Sequence, residues 1–151
     1  MHAPEGYDCP FCAVVRGEDR NPPGTQQSDV VLRSLATTAW INTRWWANNV
    51  GHVLVVPNRH VENMYELTGD HAGDIHETAR AVALAMKTAY DCDGISTRQH
   101  NEPGADQEVW HYHLHVFPRY KGDNLYGSPF RETTADERRP YALRLRDALA
   151  Q

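Results

Sequence analysis

The chain has 151 residues, a formal charge of −5, 40% hydrophobic residues and 23% charged residues. This length fits a single domain, residues 1–151, whose core needs no disulfide scaffold, and the acidic balance argues against a groove for polymeric nucleic acid. No apolar run approaches the roughly 20 residues that span a bilayer, and the first residues do not resemble a secretory signal, so we expect a cytoplasmic protein with no membrane partner.

Two cysteines lie close together near the start of the chain, at Cys9 and Cys12. In a reducing compartment such a pair is more typical of a metal or redox site than of a structural disulfide. A thioredoxin-like redox pair would follow a strand, and no strand precedes this one. The third cysteine, Cys92, has no metal-type partner nearby in the sequence and is expected to be structural.

Residues 17–29 are rich in glycine, proline and polar side chains and are predicted to form an exposed loop. Short β-prone runs follow at 30–33 and 38–42, and the apolar run 53–56 suits a buried strand. Three strands in succession predict an antiparallel meander. The intervening TRWWANNV segment is expected to be a loop whose tryptophans are buried packing groups or shape a pocket.

From Asp70 to Tyr90, apolar residues recur every three or four positions, which predicts an amphipathic helix of about 20 residues. Gly94 is expected to end this helix. Two further strands are predicted at 95–100 and 109–118, and a C-terminal helix within 136–151 that Pro140 can open. This order predicts an α+β fold, a five-stranded antiparallel sheet with helices packed on it.

The stretch HYHLHVFP, beginning at His111, places a histidine at every second position. Side chains alternate between the faces of a strand, so the three imidazoles would share one face and the intervening apolar groups would share the core face. His111 and His115 would lie roughly 13 Å apart along an extended strand, too far for all three rings to bind one zinc ion. Neutral imidazole, with a pKa of about 6.5, is a good nucleophile toward phosphorus, and flanking rings can stabilise the charge that develops.

This motif resembles the H-φ-H-φ-H-φ-φ pattern, with φ hydrophobic, of the histidine triad (HIT) family of nucleotidyl hydrolases and transferases. The segment GHVLVVPNRHVENMYEL, residues 51–67, is similar to the family's strand and following turn. The approach GADQEVW before the triad is similar to the family's Gly-Gln-Ser-Val approach. The resemblance covers about residues 7–123 and includes the order of the elements.

The resemblance implies a homodimer whose antiparallel sheets join and whose nucleotide, a purine nucleotide or a nucleotide conjugate, lies above the triad strand. It implies that His113 is the nucleophile that attacks the α-phosphorus, and that a nucleotidyl-histidine intermediate is then hydrolysed. It further implies that His115 binds phosphoryl oxygens and that His52 is a supporting residue near the phosphate.

Three departures from the family pattern concern substrate binding. Glu108 follows Gln107 where many relatives have serine, and it could pair with an amine leaving group, shuttle a proton or point away from the site. Asn42 stands where relatives often carry an aspartate that binds ribose. The loop HNEPGAD replaces a glycine- and asparagine-rich loop, which makes Asn101 the candidate for the phosphate-side amide, with His100 beside it.

Some bacterial relatives hold a structural zinc ion with an N-terminal C-x-x-C pair, the histidine of Pro-x-x-His and the first histidine of the triad. The resemblance implies the same ligand set here: Cys9, Cys12, His60 and His111. Two thiolates and two imidazoles suit a closed tetrahedral site. Such a site would pin the N-terminal segment, residues 1–16, to the sheet.

Two classes of function remain open on the sequence. The first is an enzyme, either a nucleoside phosphoramidase or a dinucleoside polyphosphate hydrolase. The second is a nucleotide-binding or interaction protein with negligible turnover, to which the departures at Glu108 and Asn42 would point.

Overall fold

The computed structural model describes all residues, 1–151, and contains a five-stranded antiparallel sheet, a two-stranded sheet and three helices. The elements in chain order are α1 (Pro10–Val15), β1 (Val30–Arg33), β2 (Thr37–Ile41), β3 (Arg44–Trp46), β4 (Val53–Pro57), α2 (Gly69–Tyr90), β5 (Gly94–Arg98), β6 (Leu114–Arg119), β7 (Phe130–Glu132) and α3 (Ala135–Leu149). The predicted α+β class is therefore confirmed. None of these helices combines the length and the apolar character needed to cross a bilayer.

The strand order of the larger sheet is β1-β2-β4-β6-β5, and every neighbouring pair is antiparallel. β1, β2 and β4, which are neighbours in this order, form the predicted meander. β6 lies between β4 and β5, so the triad segment reaches the middle of the sheet. β5 forms one edge.

The main core lies between one face of this sheet and the helices α2 and α3. Tyr112, Leu114 and Val116, the residues between the three histidines, belong to this cluster of buried apolar side chains. The three histidines, which alternate with these residues, therefore face away from α2 and α3. A smaller cluster on that second face packs α1 against Trp40, Leu54 and Val56.

The long helix α2 begins and ends at identifiable caps. The Thr68 side chain accepts a hydrogen bond from the backbone N–H of His71, and Asp91 ends the helix in a left-handed conformation with φ of 52°. The expectation that Gly94 ends the helix was wrong, because Gly94 is the first residue of β5.

The triad segment is only partly strand. The prediction of a strand over 109–118 was wrong at its start, since β6 begins at Leu114. Its pairing with β4 stops at Leu114 and Val55, two residues before β4 itself ends at Pro57, and the Tyr112 N–H bonds the carbonyl of Val61 instead of a strand partner. His111 and His113 therefore precede the strand ladder that holds His115.

Two connecting segments are more ordered than predicted. In residues 17–29, Asp29 is fully buried and forms an ion pair with Arg138 of α3, so this segment is not simply an exposed loop. The TRWWANNV segment contains β3, which pairs with β7.

The C-terminal helix begins earlier than Pro140. Thr134 and Glu137 form a capping box, in which each side chain bonds the backbone N–H of the other, and this fixes the start of α3 at Ala135. Ala142 and Leu145 are fully buried, as expected for the core face, and Leu149 packs against the core from its edge.

Gly51, in the turn before β4, allows a close approach between backbone and core. Its φ is +79°, and a Cβ atom there would lie 2.7 Å from Tyr141 Cδ1 and 2.9 Å from the Tyr90 hydroxyl. Only glycine fits this position without displacing one of the two tyrosines. The turn places His52 directly behind the triad.

Candidate active site and metal centre

A cleft of about 440 Å³ lies over the second face of the sheet, and His113 and His115 are in its wall. Strand β6 and the residue just before it bring these two rings to the centre, and residues around β2, β3, β5 and α1 form the sides. The lining includes Phe11, Asn42, Arg44, Trp46, Arg98, His100, Glu108 and Phe130.

The central ring, His113, has a defined tautomer. Its Nδ1 lies 2.7 Å from the backbone carbonyl oxygen of His111, and because a carbonyl only accepts hydrogen bonds, Nδ1 carries the proton. Burial lowers the pKa of His113, so the ring is neutral at pH 7. Nε2 therefore keeps its lone pair.

His115 forms no side-chain hydrogen bond with the protein, and its buried Nδ1 has no partner. The ring stacks on Phe117, with 5.6 Å between centroids and an interplanar angle of 7°. Burial and the neighbouring His113 hold the pKa of His115 well below its ordinary value. This neutral ring keeps its hydrogen-bonding capacity for a ligand.

His52 lies behind the cleft and holds Asn42 in the wall. Its Nε2 is 2.8 Å from the Asn42 side-chain amide, and its ring stacks on Phe117 with 4.3 Å between centroids. Burial lowers the pKa of His52 to about 3. The sequence expectation of a supporting residue fits this position, although His52 does not itself reach the cleft.

Glu108 does not point away from the site. Its carboxylate accepts a hydrogen bond of 2.6 Å from Arg44 Nη1, while Arg44 Nε donates to Glu132 at 2.9 Å. All three side chains line the cleft. Glu108 is thus one end of a row of ion-paired side chains at the edge of the cleft.

Two side-chain amides that were predicted to bind substrate, those of Asn101 and Gln107, form hydrogen bonds within the protein instead. Asn101 Oδ1 accepts from the Met64 N–H at 2.8 Å, and its Nδ2 donates to Gln99, so the side chain fixes a loop and does not line the cleft. Gln107 is buried, with Nε2 donating to the carbonyls of Glu62 and Val109. Gln107 therefore has no free donor for phosphate, and Asn101, whose Nδ2 keeps one N–H, lies outside the cleft lining.

His100 occupies the wall position that the sequence reading assigned to its neighbour. Its Nδ1 lies 2.6 Å from the carbonyl of Ala105, which makes Nδ1 the protonated nitrogen. Its ring centroid is 6.3 Å from that of His115. Sequence reasoning also missed Arg98, which the register pairs directly with His115 on β6. Aligning the two predicted strands would have been the signal for it.

Near one end of the triad, the four predicted zinc ligands come together. The potential ligand atoms of Cys9, Cys12, His60 and His111 all lie within 4.8 Å of one another. Nδ1 of His111 is 3.4 Å from Cys9 Sγ and 3.5 Å from Cys12 Sγ, and His60 Nδ1 is 3.3 Å from Cys12 Sγ. Zinc bond lengths in a tetrahedron imply S–N separations of about 3.6 Å, so the arrangement fits the metal.

The His111 tautomer and the Cys12 thiol in this cluster also fit the binding of a cation. His111 Nε2 lies 2.9 Å from the Pro57 carbonyl, so it carries the proton and leaves Nδ1 free to coordinate. Burial and the neighbouring Cys9 raise the pKa of Cys12 to about 12, so without a cation this thiol stays protonated. The three free cysteines of the chain form no disulfide.

Residues 25–122 match the family model of the HIT domain. Among curated proteins, the chain is 31% identical to "Protein hit" of Bacillus subtilis over 144 residues, covering 95% of this chain and 90% of that protein. Among solved structures, a zinc-bound histidine triad family protein from Mycobacterium smegmatis superimposes with a TM-score of 0.78 at 26% identity, covering 95% and 94% of the two chains.

A more distant relative has a named activity. The bis(5'-adenosyl)-triphosphatase of Saccharomyces cerevisiae is 38% identical over 76 residues, which is 50% of this chain and 37% of that protein.

Proposed function

The chain belongs to the histidine triad family, and from this membership we propose that it is a nucleotide hydrolase that works through a covalent nucleotidyl-histidine intermediate. The observation that carries the proposal is the state of His113. Its Nδ1 proton is held by the His111 carbonyl, and its neutral ring lies in the cleft wall.

In the first step, Nε2 of His113 attacks the α-phosphorus of the nucleotide. A P–N bond to Nε2 forms while the bond from phosphorus to the leaving group breaks, and the leaving group takes that electron pair. In the second step, water attacks the same phosphorus, the P–N bond breaks, and the nucleoside monophosphate is released. The His111 carbonyl stabilises the positive ring that exists between the steps, because it accepts from Nδ1–H.

The remaining cleft residues have roles that follow from their position. His115 donates to the phosphoryl oxygens, since its ring makes no hydrogen bond to the protein. Asn42, fixed by His52, is placed to bond a ribose hydroxyl, and the apolar ring of Phe11 packs against the nucleobase. Arg44 forms an ion pair with Glu108. We therefore assign Glu108 a structural role at the edge of the cleft and no direct part in the reaction.

The substrate is a purine nucleotide joined to a second group, either an amine or a further phosphate chain. The name of the yeast relative, bis(5'-adenosyl)-triphosphatase, supports the second. The name of the Bacillus subtilis relative states no activity. The identity of the leaving group is therefore part of the proposal.

We further propose a structural zinc ion held by Cys9, Cys12, His60 and His111. The geometry of this cluster and the zinc-bound relative support it. All four positions of a tetrahedral ion would be filled by protein, so the metal would stabilise the segment around His111 and take no part in the reaction.

A homodimer and a cytoplasmic location complete the proposal. In this chain β5 is an edge strand, and an edge strand can pair with that of a second copy, which would join the two sheets. Free, closely spaced thiols fit a reducing compartment.

The proposal is tested by incubating the protein with adenosine 5'-phosphoramidate or diadenosine triphosphate and measuring AMP release. His113→Ala should lower the rate at least about a thousandfold, because the nucleophile is removed. His76→Ala is the matched control, since His76 is an exposed histidine on α2, across the sheet from the cleft.

Equal rates for the wild type and His113→Ala would refute the enzyme. If the wild type also binds AMP tightly, that result would instead support the nucleotide-binding alternative. Intermediate trapping gives a second measurement, because acid quenching of a turnover mixture should yield protein with one nucleotidyl group, absent in His113→Ala.

A further inference from the structure

Arg98 lies at the end of β5 among aromatic rings. Its guanidinium carbon is 4.9 Å from the centroid of Trp46, 5.1 Å from that of Phe117 and 5.6 Å from that of Tyr126. Ring faces attract a cation and hold a planar guanidinium in place, but they offer no strong acceptor for its N–H groups. The side chain is therefore positioned while its hydrogen-bond donors remain unused.

No carboxylate neutralises Arg98. It has no ion-pair partner within 4 Å, it donates no side-chain hydrogen bond, and its Nε is buried without a partner. Arg44, the other arginine of the cleft, is paired with both Glu108 and Glu132. Asp106 lines the same cleft but lies beyond ion-pair distance of Arg98. A partly buried cation that is left unpaired beside a reactive centre is a site for an anion.

The order of the strands defines where that anion would lie. Asn42 follows β2, on one side of the cleft, and Arg98 ends β5, on the other side, with His113 and His115 of the β6 segment between them. Arg98 is the register partner of His115. A nucleotide with its ribose at Asn42 and its reacting phosphorus at His113 would extend its leaving group toward Arg98.

Building on the proposed function, we propose that Arg98 binds the phosphate next to the reacting one, so that the preferred substrates are nucleoside polyphosphates, including dinucleoside polyphosphates. For diadenosine triphosphate, the bond from the α-phosphorus to its bridging oxygen breaks, and ADP leaves with the electron pair. Its phosphate adjacent to that oxygen is the group at Arg98.

The test compares two substrates that share the nucleoside and the reacting phosphorus. Diadenosine triphosphate has phosphates beyond the reacting one, whereas adenosine 5'-phosphoramidate has only an amino group. Arg98→Gln should lower kcat/KM for diadenosine triphosphate about 10- to 100-fold, the range for a lost charge-assisted hydrogen bond, and change that for the phosphoramidate less than about threefold. Arg98→Lys, which keeps the charge, should recover part of the loss.

Arg80→Gln is the control for charge, because it removes one positive charge from an exposed position on α2. This substitution should leave kcat/KM for both substrates unchanged. An equal loss on both substrates in Arg98→Gln would show that the side chain only supports the fold, and an unchanged ratio of the two kcat/KM values would also overturn the inference.

A binding experiment separates this inference from the proposed function. In the His113→Ala background, which prevents turnover, ADP should bind at least tenfold more tightly than AMP, and Arg98→Gln should remove that difference. If wild-type protein hydrolyses neither substrate but the ADP preference depends on Arg98, the enzyme proposal fails and the phosphate site stands. If both nucleotides bind equally while AMP is released in turnover, the enzyme stands and the phosphate site fails.

Discussion

At the scale of single residues, the site depends on histidines that burial keeps neutral. Burial lowers the pKa of His52 to about 3 and also lowers the pKa values of His113 and His115. A neutral His113 is a nucleophile without needing a base, and a neutral His52 can hold Asn42 without bringing a charge into the core. The same burial makes the stability of the fold depend on pH, because the unfolded chain takes up protons that the buried rings do not.

His52 gives a prediction about stability and pH. Its folded pKa of about 3 lies below the unfolded value of about 6.5, so the unfolded state takes up the proton first. The stability contributed by His52 is therefore complete above about pH 6.5 and falls as the pH decreases toward 3, by up to about 1.4 kcal/mol per pH unit.

The measurement is urea unfolding of the wild type and His52→Gln between pH 7.5 and 4.5. The wild type should be more stable at pH 7.5, and the difference between the two should shrink as the pH falls. Effects of acid on other groups are common to both proteins and cancel. A difference that is constant across this range would contradict a buried, neutral His52.

At the scale of elements, the short helix α1 connects the proposed zinc site to the candidate active-site cleft. It carries Cys12 among the predicted zinc ligands and Phe11 in the cleft wall, and its N-cap residue is Cys9. His111, the predicted ligand that precedes β6, accepts a hydrogen bond from the Nδ1–H of His113 with its backbone carbonyl. Loss of the metal should therefore disturb the orientation of the nucleophile.

Cys12→Ser tests this connection. We expect zinc bound at about one ion per chain in the wild type and essentially none in the variant, measured by elemental analysis. The melting temperature should fall, and kcat should fall more than KM changes. Cys92→Ala is the control, because Cys92 is buried in the core away from the cluster and should leave the zinc content unchanged. Full zinc binding by Cys12→Ser would exclude this ligand set.

The element boundaries show which local signals were readable. The capping box of Thr134 and Glu137 is a visible T-x-x-E pattern, and it locates the start of α3 better than Pro140 does. Strand β7 has three residues, all exposed, so it has no alternation to detect. The start of β6 depends on where its pairing with β4 stops, opposite Val55, and no local pattern contains that information.

At the scale of the whole molecule, a buried ion pair connects the segment before β1 to the C-terminal helix. Arg138 and Asp29 are both inaccessible to solvent, with Nε and Oδ1 2.9 Å apart. Arg138 also donates to the carbonyls of Gly24 and Thr133, so its guanidinium is well satisfied. Removing one partner would leave a buried charge without compensation.

Asp29→Asn and Arg138→Met should therefore each lower the free energy of unfolding by about 3–5 kcal/mol. The double variant should lose clearly less than the sum of the two, because it leaves no unpaired charge in the core. Chemical denaturation of the four proteins gives this coupling energy. Additive losses would mean that the two side chains do not stabilise each other.

The sequence by itself determined the fold class and the face of the triad segment that carries the histidines, and both follow from local periods such as the alternation in HYHLHV. The short spacing of Cys9 and Cys12 indicated a metal or redox site, while His60 and His111 entered the predicted zinc site through the resemblance to the family. Only the tertiary structure decided that His100, not Asn101, lines the cleft, and that Gln107 is occupied by backbone carbonyls. It also decided that Arg98 lacks a counter-ion while Arg44 has two. Those facts depend on which distant segments meet, and a local pattern sets the face of a side chain but not the partner that packs against it.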